Sequence, residues 1–242
     1  MGLAAHGVAL LRAGNPGPLT LSGTNTWLVE RWVIDPGPAI DAHLDAVAAA
    51  VRARGGASGI ALTHDHADHA EGVGGLQERL GGGVPVVSAR GGACDGDVFG
   101  PLRVLALPGH ADDHLAFVAG RAGFTGDAVL GEGSVFVSSR LVEYLDGLRA
   151  LRARDLEVLC PGHGPPVWDV RAKLDAYLAH RAERERLLVE ALAHGMSSED
   201  ELLDAAWGDA PAALREFAAI SLRAHLEKLR AEGRVPTQPP ST

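Results

Sequence analysis

Cysteine is nearly absent from this 242-residue chain. Cys94 and Cys160 are too few for a disulfide framework, which points to a reducing, cytoplasmic setting. Lysine is scarce as well: of 22 basic residues only Lys173 and Lys228 are lysine, a bias read here as base composition of the genome. Basic charge falls short of acidic, 22 against 31, for a formal net charge of −9. That balance disfavours bulk electrostatic gripping of nucleic acid, so duplex DNA is not expected as a partner. Aromatic residues make up only 5%, which leaves no stacking platform for single strands. No apolar run approaches the roughly 20 residues that span a bilayer. The opening MGLAAHGVALLRAG lacks a basic leader region, so no membrane association is expected. Hydrophobic residues at 46% and charged residues at 22% exclude a disordered chain. The length suits one large domain with a small appendage. Against this background, eleven histidines stand out.

The first two-thirds alternate short apolar runs with amphipathic stretches. TWLVERWVID (26–35) reads as a strand pair ended by Pro36-Gly37-Pro38. Ile40, Leu44, Val47, Ala48 and Val51 recur at helical spacing. GIALTH (59–64) reads as a buried strand that stops at a histidine, and a helical stretch at 70–80 leads to the apolar run 84–87. Further strands are expected at 103–107, 115–119, 123–125 and 156–160, with a helix marked by Leu141, Leu145, Leu148 and Leu151. Residues 1–167 therefore read as an α/β sandwich. A long charged helix links onward over 168–194, stopping at Gly195. Ser197 and Ser198 before Glu199 and Asp200 mark a helix start. Residues 195–242 form a small helical unit with a Pro- and Ser-rich, loose tail at 236–242.

The histidines are not scattered. THDHADH places His64, His66, Asp68 and His69 directly after a buried strand, and His110, Asp127 and His163 follow in LPGHADDH, FTGDAVL and CPGHGPP. Imidazole and carboxylate are donors that zinc accepts. Three imidazoles and a carboxylate packed this closely are hard to bury without a cation. Each later candidate follows a glycine (Gly109, Gly126, Gly162), where close backbone approach is easiest. Five histidines and two aspartates suffice for two three-ligand sets and a bridging carboxylate, with positions left open as in catalytic sites.

The segment His64-Asp65-His66-Ala67-Asp68-His69 resembles the H-x-H-x-D-H signature of the metallo-β-lactamase-fold hydrolase superfamily, and the resemblance covers nearly the whole chain. It implies an αββα sandwich holding two zinc ions, with manganese or iron compatible with the same donors. His64, His66 and His110 are implied to hold the first ion, Asp68, His69 and His163 the second, with Asp127 bridging. Residues 15–29 (NPGPLTLSGTNTWLV), 108–114 (PGHADDH), 177–185 (YLAHRAERE) and 225–235 (HLEKLRAEGRV) resemble the β-lactamase-like protein 2 branch. That branch implies a small C-terminal winged helix and, from its mitochondrial representative, endoribonuclease activity on single-stranded RNA.

Two adjacent dications acidify a bridging water toward neutral pH and polarise the oxygen of an ester, thioester or phosphodiester. Asp68 is expected to orient the resulting hydroxide and shuttle its proton as the catalytic residue. Two dications less Asp68, Asp127 and a hydroxide leave the pocket positive, so an anionic substrate is tolerated. A glyoxalase II-like thioester hydrolase is the main alternative. A mononuclear iron oxidoreductase needs only His64, His66 and His110, and retention of Asp68, His69 and His163 argues against it. His114 is expected to hydrogen-bond a ligand, to face substrate or simply to pack, Asp35 to brace the metal loop, and Asn25 and Thr26 to line the rim or form a turn. His180 and Arg181 are expected at a surface or domain interface, and Cys160 as a buried thiol. Residues 195–242 carry five basic and eight acidic residues. That balance favours packing, homodimerisation or shaping of the pocket mouth over duplex recognition, for which a basic face is required.

Overall fold

The computed structural model describes residues 2–235; Met1 and the expected loose tail at 236–242 lie outside the described residues. Two five-stranded sheets stack face to face. The first runs β1 (Val8–Arg12), β2 (Asn25–Val29), β3 (Trp32–Ile34), β4 (Gly59–Ala61) and β5 (Val86–Val87) in sequence order. The second orders β10 (Val158–Pro161), β9 (Ala122–Gly126), β8 (Leu115–Ala119), β7 (Leu102–Ala106) and β6 (Val98–Phe99). Pairing is antiparallel except for β3 with β4, β4 with β5 and β9 with β10, which are parallel.

Side-chain alternation with period two sorts residues between layers. On β2 and β3, Trp27, Val29 and Ile34 face the other sheet, where Val104, Phe117, Phe124 and Cys160 meet them. The intervening Leu28 and Val33 face outward onto α1 (Asp41–Arg52) and α3 (Val73–Arg79), through Leu44, Val47, Val51 and Leu76. On the far side Leu105 and Leu159 turn to α4 (Leu141–Arg152) and the first half of α5 (Val170–Ala193), meeting Tyr144, Leu148, Leu174 and Tyr177. The result is an αββα sandwich, buried between its sheets and again under each helical layer.

The second half of α5 leaves that core. Leu188 and Ala191 pack with α6 (Glu199–Trp207) and α7 (Arg215–Ala231) through Leu202, Leu203, Ala206, Leu222 and Leu229. Ser198 starts α6 with a reciprocal capping box to Glu201, which satisfies two backbone donors at once. Among the described residues no helix is long and apolar enough to cross a membrane. Strand β1 has no counterpart in the sequence reading: Val8 to Leu11 form an unbroken apolar run without alternation, and its pairing with β2 makes it a strand.

Candidate metal centre

Strands β3, β4, β7, β9 and β10 deliver the site. Just past their C-terminal ends lie Asp35, His64, His110, Asp127 and His163 respectively, the edge where α/β sheets present ligand-binding loops. The one-turn helix α2 (Ala67–Ala70) then brings Asp68 and His69 round. Gly162 and Gly126 are required by this crowding. A Cβ on Gly162 would lie 2.4 Å from Asp127 Oδ1, and one on Gly126, at φ +47°, would lie 2.5 Å from Thr63 Oγ1.

All seven candidate donors converge. One potential ligand atom each from His64, His66 and His110 falls within 4.8 Å of the others, and the same holds for Asp68, His69 and His163. His66 Nδ1 and His110 Nε2 stand 3.0 Å apart. His163 Nε2 lies 3.3 Å from Asp68 Oδ2 and from His69 Nε2. Asp127 stands between the groups, its Oδ2 3.2 Å from His163 Nε2 and 3.6 Å from His110 Nε2. His64 Nε2 and Asp127 Oδ1 are buried without a hydrogen-bond partner. Orphaned lone pairs on a nitrogen-rich, converging donor set fit a divalent cation pair.

Surrounding residues fix these donors. Asp35, strained at φ +51°, accepts from Thr63 N (2.8 Å) and Thr63 Oγ1 (2.7 Å) and from His69 Nδ1 (2.9 Å). It thereby points the His69 Nε2 lone pair into the cluster. Thr24 Oγ1 donates to Asp68 Oδ2 at 3.0 Å and accepts from Asn15 Nδ2 at 2.9 Å. His114 packs under His64 and its Nε2 accepts the Asp127 backbone N–H at 3.1 Å, so it holds a donor and does not face substrate. Asn25 is fully buried, not on the rim. Its Nδ2 donates to the Pro161 and Gly164 carbonyls at 3.0 and 2.8 Å, locking the loop that carries His163. Thr26 is buried against His43. Cys160 is a buried strand thiol, as expected.

Protonation follows from this packing. Burial works to raise the Asp68 carboxyl, but His163 and His69 overcome it and hold it at about 2. Burial works to lower His163, but Asp127 and Asp68 raise it to about 9. Burial drives His110 down to about 4 and His64 well below the ordinary range. The carboxylates are thus ionised, and His64 and His110 neutral, in their ligating forms. The protons on His163 and His69 supply charge that a cation replaces.

Above the cluster opens a cavity of about 810 Å³. Its floor includes His66, Asp68, His110, Asp127 and His163, and its walls are mostly apolar. The far wall comes from the C-terminal helices: Trp207, Leu214, Phe217 and Ala218 face the site across the cavity. Sequence reasoning assigned no role to these residues, nor to Thr24 and Thr63, although the last two lie within the segments 15–29 and THDHADH. Arg181 is almost fully buried, bonded to Ser134 Oγ at 3.2 Å and to the Val135 carbonyl. His180 also lines the cavity, lowered to about 4 by burial and the adjacent Arg181 and Arg184.

The chain is 31% identical over 237 residues to the atrochrysone carboxyl ACP thioesterase of Aspergillus fumigatus, with 85% of this chain and 75% of that protein covered. Its fold matches a metallo-β-lactamase family protein from Thermus thermophilus at a TM-score of 0.72 and 25% identity, covering 97% of this chain and 96% of that one. The chain belongs to the metallo-β-lactamase superfamily. Within it, a β-lactamase-like protein 2 homologue from Caenorhabditis elegans is 29% identical over 244 residues, 90% of this chain and 82% of that one. Residues 198–238 match the family model of the beta-lactamase associated winged helix domain. Among the described residues that region holds α6, a 3₁₀ turn at Ala212–Leu214 and α7. With the donor cluster at the sandwich edge, this superfamily member is a metal-dependent hydrolase.

Proposed function

We propose a dinuclear zinc hydrolase that cleaves thioesters or esters of apolar acids. The carrying observation is the cavity: a donor cluster on its floor and largely apolar walls of about 810 Å³, the size and character of a small-molecule site. The thioesterase relative supports the same direction. His64, His66 and His110 would hold one ion and Asp68, His69 and His163 the second, with Asp127 placed between the two sets to serve both. Nitrogen-rich sites of this kind suit zinc, with iron and manganese as competitors.

When bound, the ions supply an acidified water and polarise the scissile carbonyl. Asp68 is the donor-set carboxylate most open to the cavity, its side chain 28% exposed against 11% for Asp127. Held ionised, and fixed at Oδ2 by Thr24, it orients the attacking water and takes its proton. Water adds to the acyl carbon, the bond to sulfur or oxygen breaks, and the leaving group takes up a proton. The apolar walls exclude bulk water and give the acyl group a dry seat.

Single-stranded RNA, implied by the branch resemblance, is the competing reading. Phosphates beyond the metal site require free cationic donors. Apart from the donor histidines, the cationic side chains lining the cavity among the described residues are Arg181 and Arg184. The first is bonded to Ser134 and Val135 and the second to Asp209 and Ala206. A panel of an apolar acyl thioester, a lactoyl thioester, single-stranded RNA, a simple phosphodiester and a chromogenic lactam decides. Each is offered to zinc-, manganese- and iron-loaded protein beside Asp68→Ala. Thioester turnover lost in a folded Asp68→Ala supports the proposal. RNA cleavage without thioester turnover overturns it.

A further inference from the structure

Aromatic side chains are few, yet Phe136, Phe217 and Trp207 line the same cavity. Phe136 lies in the segment between β9 and α4, and Phe217 in the first turn of α7. The Phe136 ring contacts His110 at 4.5 Å between centroids, tilted 53°, and Phe217 at 5.1 Å, tilted 35°. The two rings therefore form one continuous surface running from the donor cluster to the C-terminal helices. Both phenylalanines are only partly buried, and their uncovered faces turn to the cavity.

The placement of Phe136 is enforced from both sides. Ser221 of α7 accepts the Val137 backbone N–H at 3.0 Å. Arg181 of α5 donates to Ser134 Oγ and to the Val135 carbonyl. Ser138 Oγ lies 3.0 Å from the Gly109 carbonyl and 3.1 Å from that of His110. The segment is stapled to α5, to α7 and to the loop carrying a donor histidine. Such fixing costs little entropy when a ligand arrives, because the rings are already ordered.

We propose that Phe136 and Phe217 form an acyl-binding wall that selects bulky, flat acyl groups, so that the C-terminal helices set the substrate range of the metal site. An aromatic face gains from an aromatic partner beyond the area covered, through offset or edge-to-face packing. A flat bicyclic acyl group can cover both rings, whereas an acetyl group bonded at the cluster cannot reach Phe217 past Phe136. The kinetic consequence rests on the thioesterase reading above; the binding consequence does not.

The test compares wild type with Phe217→Ala and Phe217→Leu, each checked for folding by its melting transition. Acetyl and 2-naphthoyl thioesters of one thiol are the substrates, and acetate and 2-naphthoate the calorimetric probes. Wild type prefers the naphthoyl substrate, Phe217→Ala lowers the naphthoyl-to-acetyl ratio of kcat/KM roughly tenfold, mainly through KM, and Phe217→Leu recovers part of it. Equal losses on both substrates in a folded variant, or an unchanged ratio, overturn the wall. If wild type cleaves neither thioester, the thioesterase reading fails. The wall then stands only if naphthoate binds wild type and Phe217→Ala weakens it roughly tenfold, and it falls if the two bind alike.

Discussion

Gly162→Ala probes the centre where its packing is tightest. The backbone at Gly162 is not left-handed, so alanine can adopt its conformation and the consequence is confined to the new methyl. That Cβ arrives 2.4 Å from Asp127 Oδ1 and 2.6 Å from His69 Cε1, whereas ordinary contact begins at 3.4 Å. The Asp127 carboxylate must therefore retreat by about 1 Å, or the loop must move. The loop is held: Gly162 N–H donates to the Gly126 carbonyl at 2.8 Å, and Asn25 N–H donates to the Gly162 carbonyl at 2.7 Å. The side chains yield instead, and Asp127 and His69 belong to the donor cluster. A misplacement near 1 Å costs about 100-fold in kcat/KM, with bound metal falling from two ions toward one. Overpacking of this kind costs about 1–3 kcal/mol, a fall in Tm of roughly 2–12 °C for a chain of this size. Metal analysis, steady-state kinetics and calorimetry on one preparation read all three. Gly74→Ala is the control: Gly74 lies in α3 with nothing within 4 Å of the added methyl, so it leaves all three readouts near wild type. Two ions retained with wild-type kcat/KM in Gly162→Ala would refute the assigned geometry.

Asp35→Asn keeps the shape but removes the carboxylate charge facing His69; metal affinity falls about 10–100-fold, read by chelator competition, and wild-type affinity in the variant contradicts the orienting role. His225 is fully buried in α7 and depressed by burial to about 4, with Arg181 adding to the effect and Ser221 opposing it. Its folded pKa lies below the unfolded value of about 6.5, so its contribution is complete above pH 6.5 and is lost as pH falls toward 4. His225→Met flattens the fall in Tm across that window, and an unchanged pH dependence would count against it.

The outer helices and most strands were legible because their apolar residues keep helical spacing or stand in short runs between turn residues; β1, the two-residue β6 and the order of strands within each sheet were not, because pairing alone sets them. Trp27, Leu28 and Val29 divide between two layers as alternation requires. The donor cluster was legible because its ligand types stand close together or directly after glycines. Of its supports only Asp35 was legible, expected to brace the metal loop and bonded to Thr63 and His69. Asn25 is an ordinary polar residue whose bonds to Pro161 and Gly164 exist only once β2 and the loop after β10 lie side by side, and Thr24 meets Asp68 only across the fold. Phe136 and Phe217 carry no local signal at all. Only the packing of α7 against α4 and the segment before it brings them into contact.

Charge gives a further reason to place the C-terminal helices in the substrate pocket and not on a duplex. Acidic partners already occupy most of their basic side chains. Arg215 pairs with Asp200 and Asp204, Arg223 with Glu199, and Lys228 and Arg234 with Glu185 and Glu232. The more exposed of these pairs add little stability, but together they cancel the field that would draw a phosphate backbone. A groove-reading helix needs those cations free. The apolar faces of α6 and α7 instead divide between their own core and the cavity, where Trp207, Leu214 and Phe217 stand opposite the donor cluster. The winged-helix unit thus lines one side of the cavity above the donor cluster, a placement that fits the proposed acyl substrate better than a duplex.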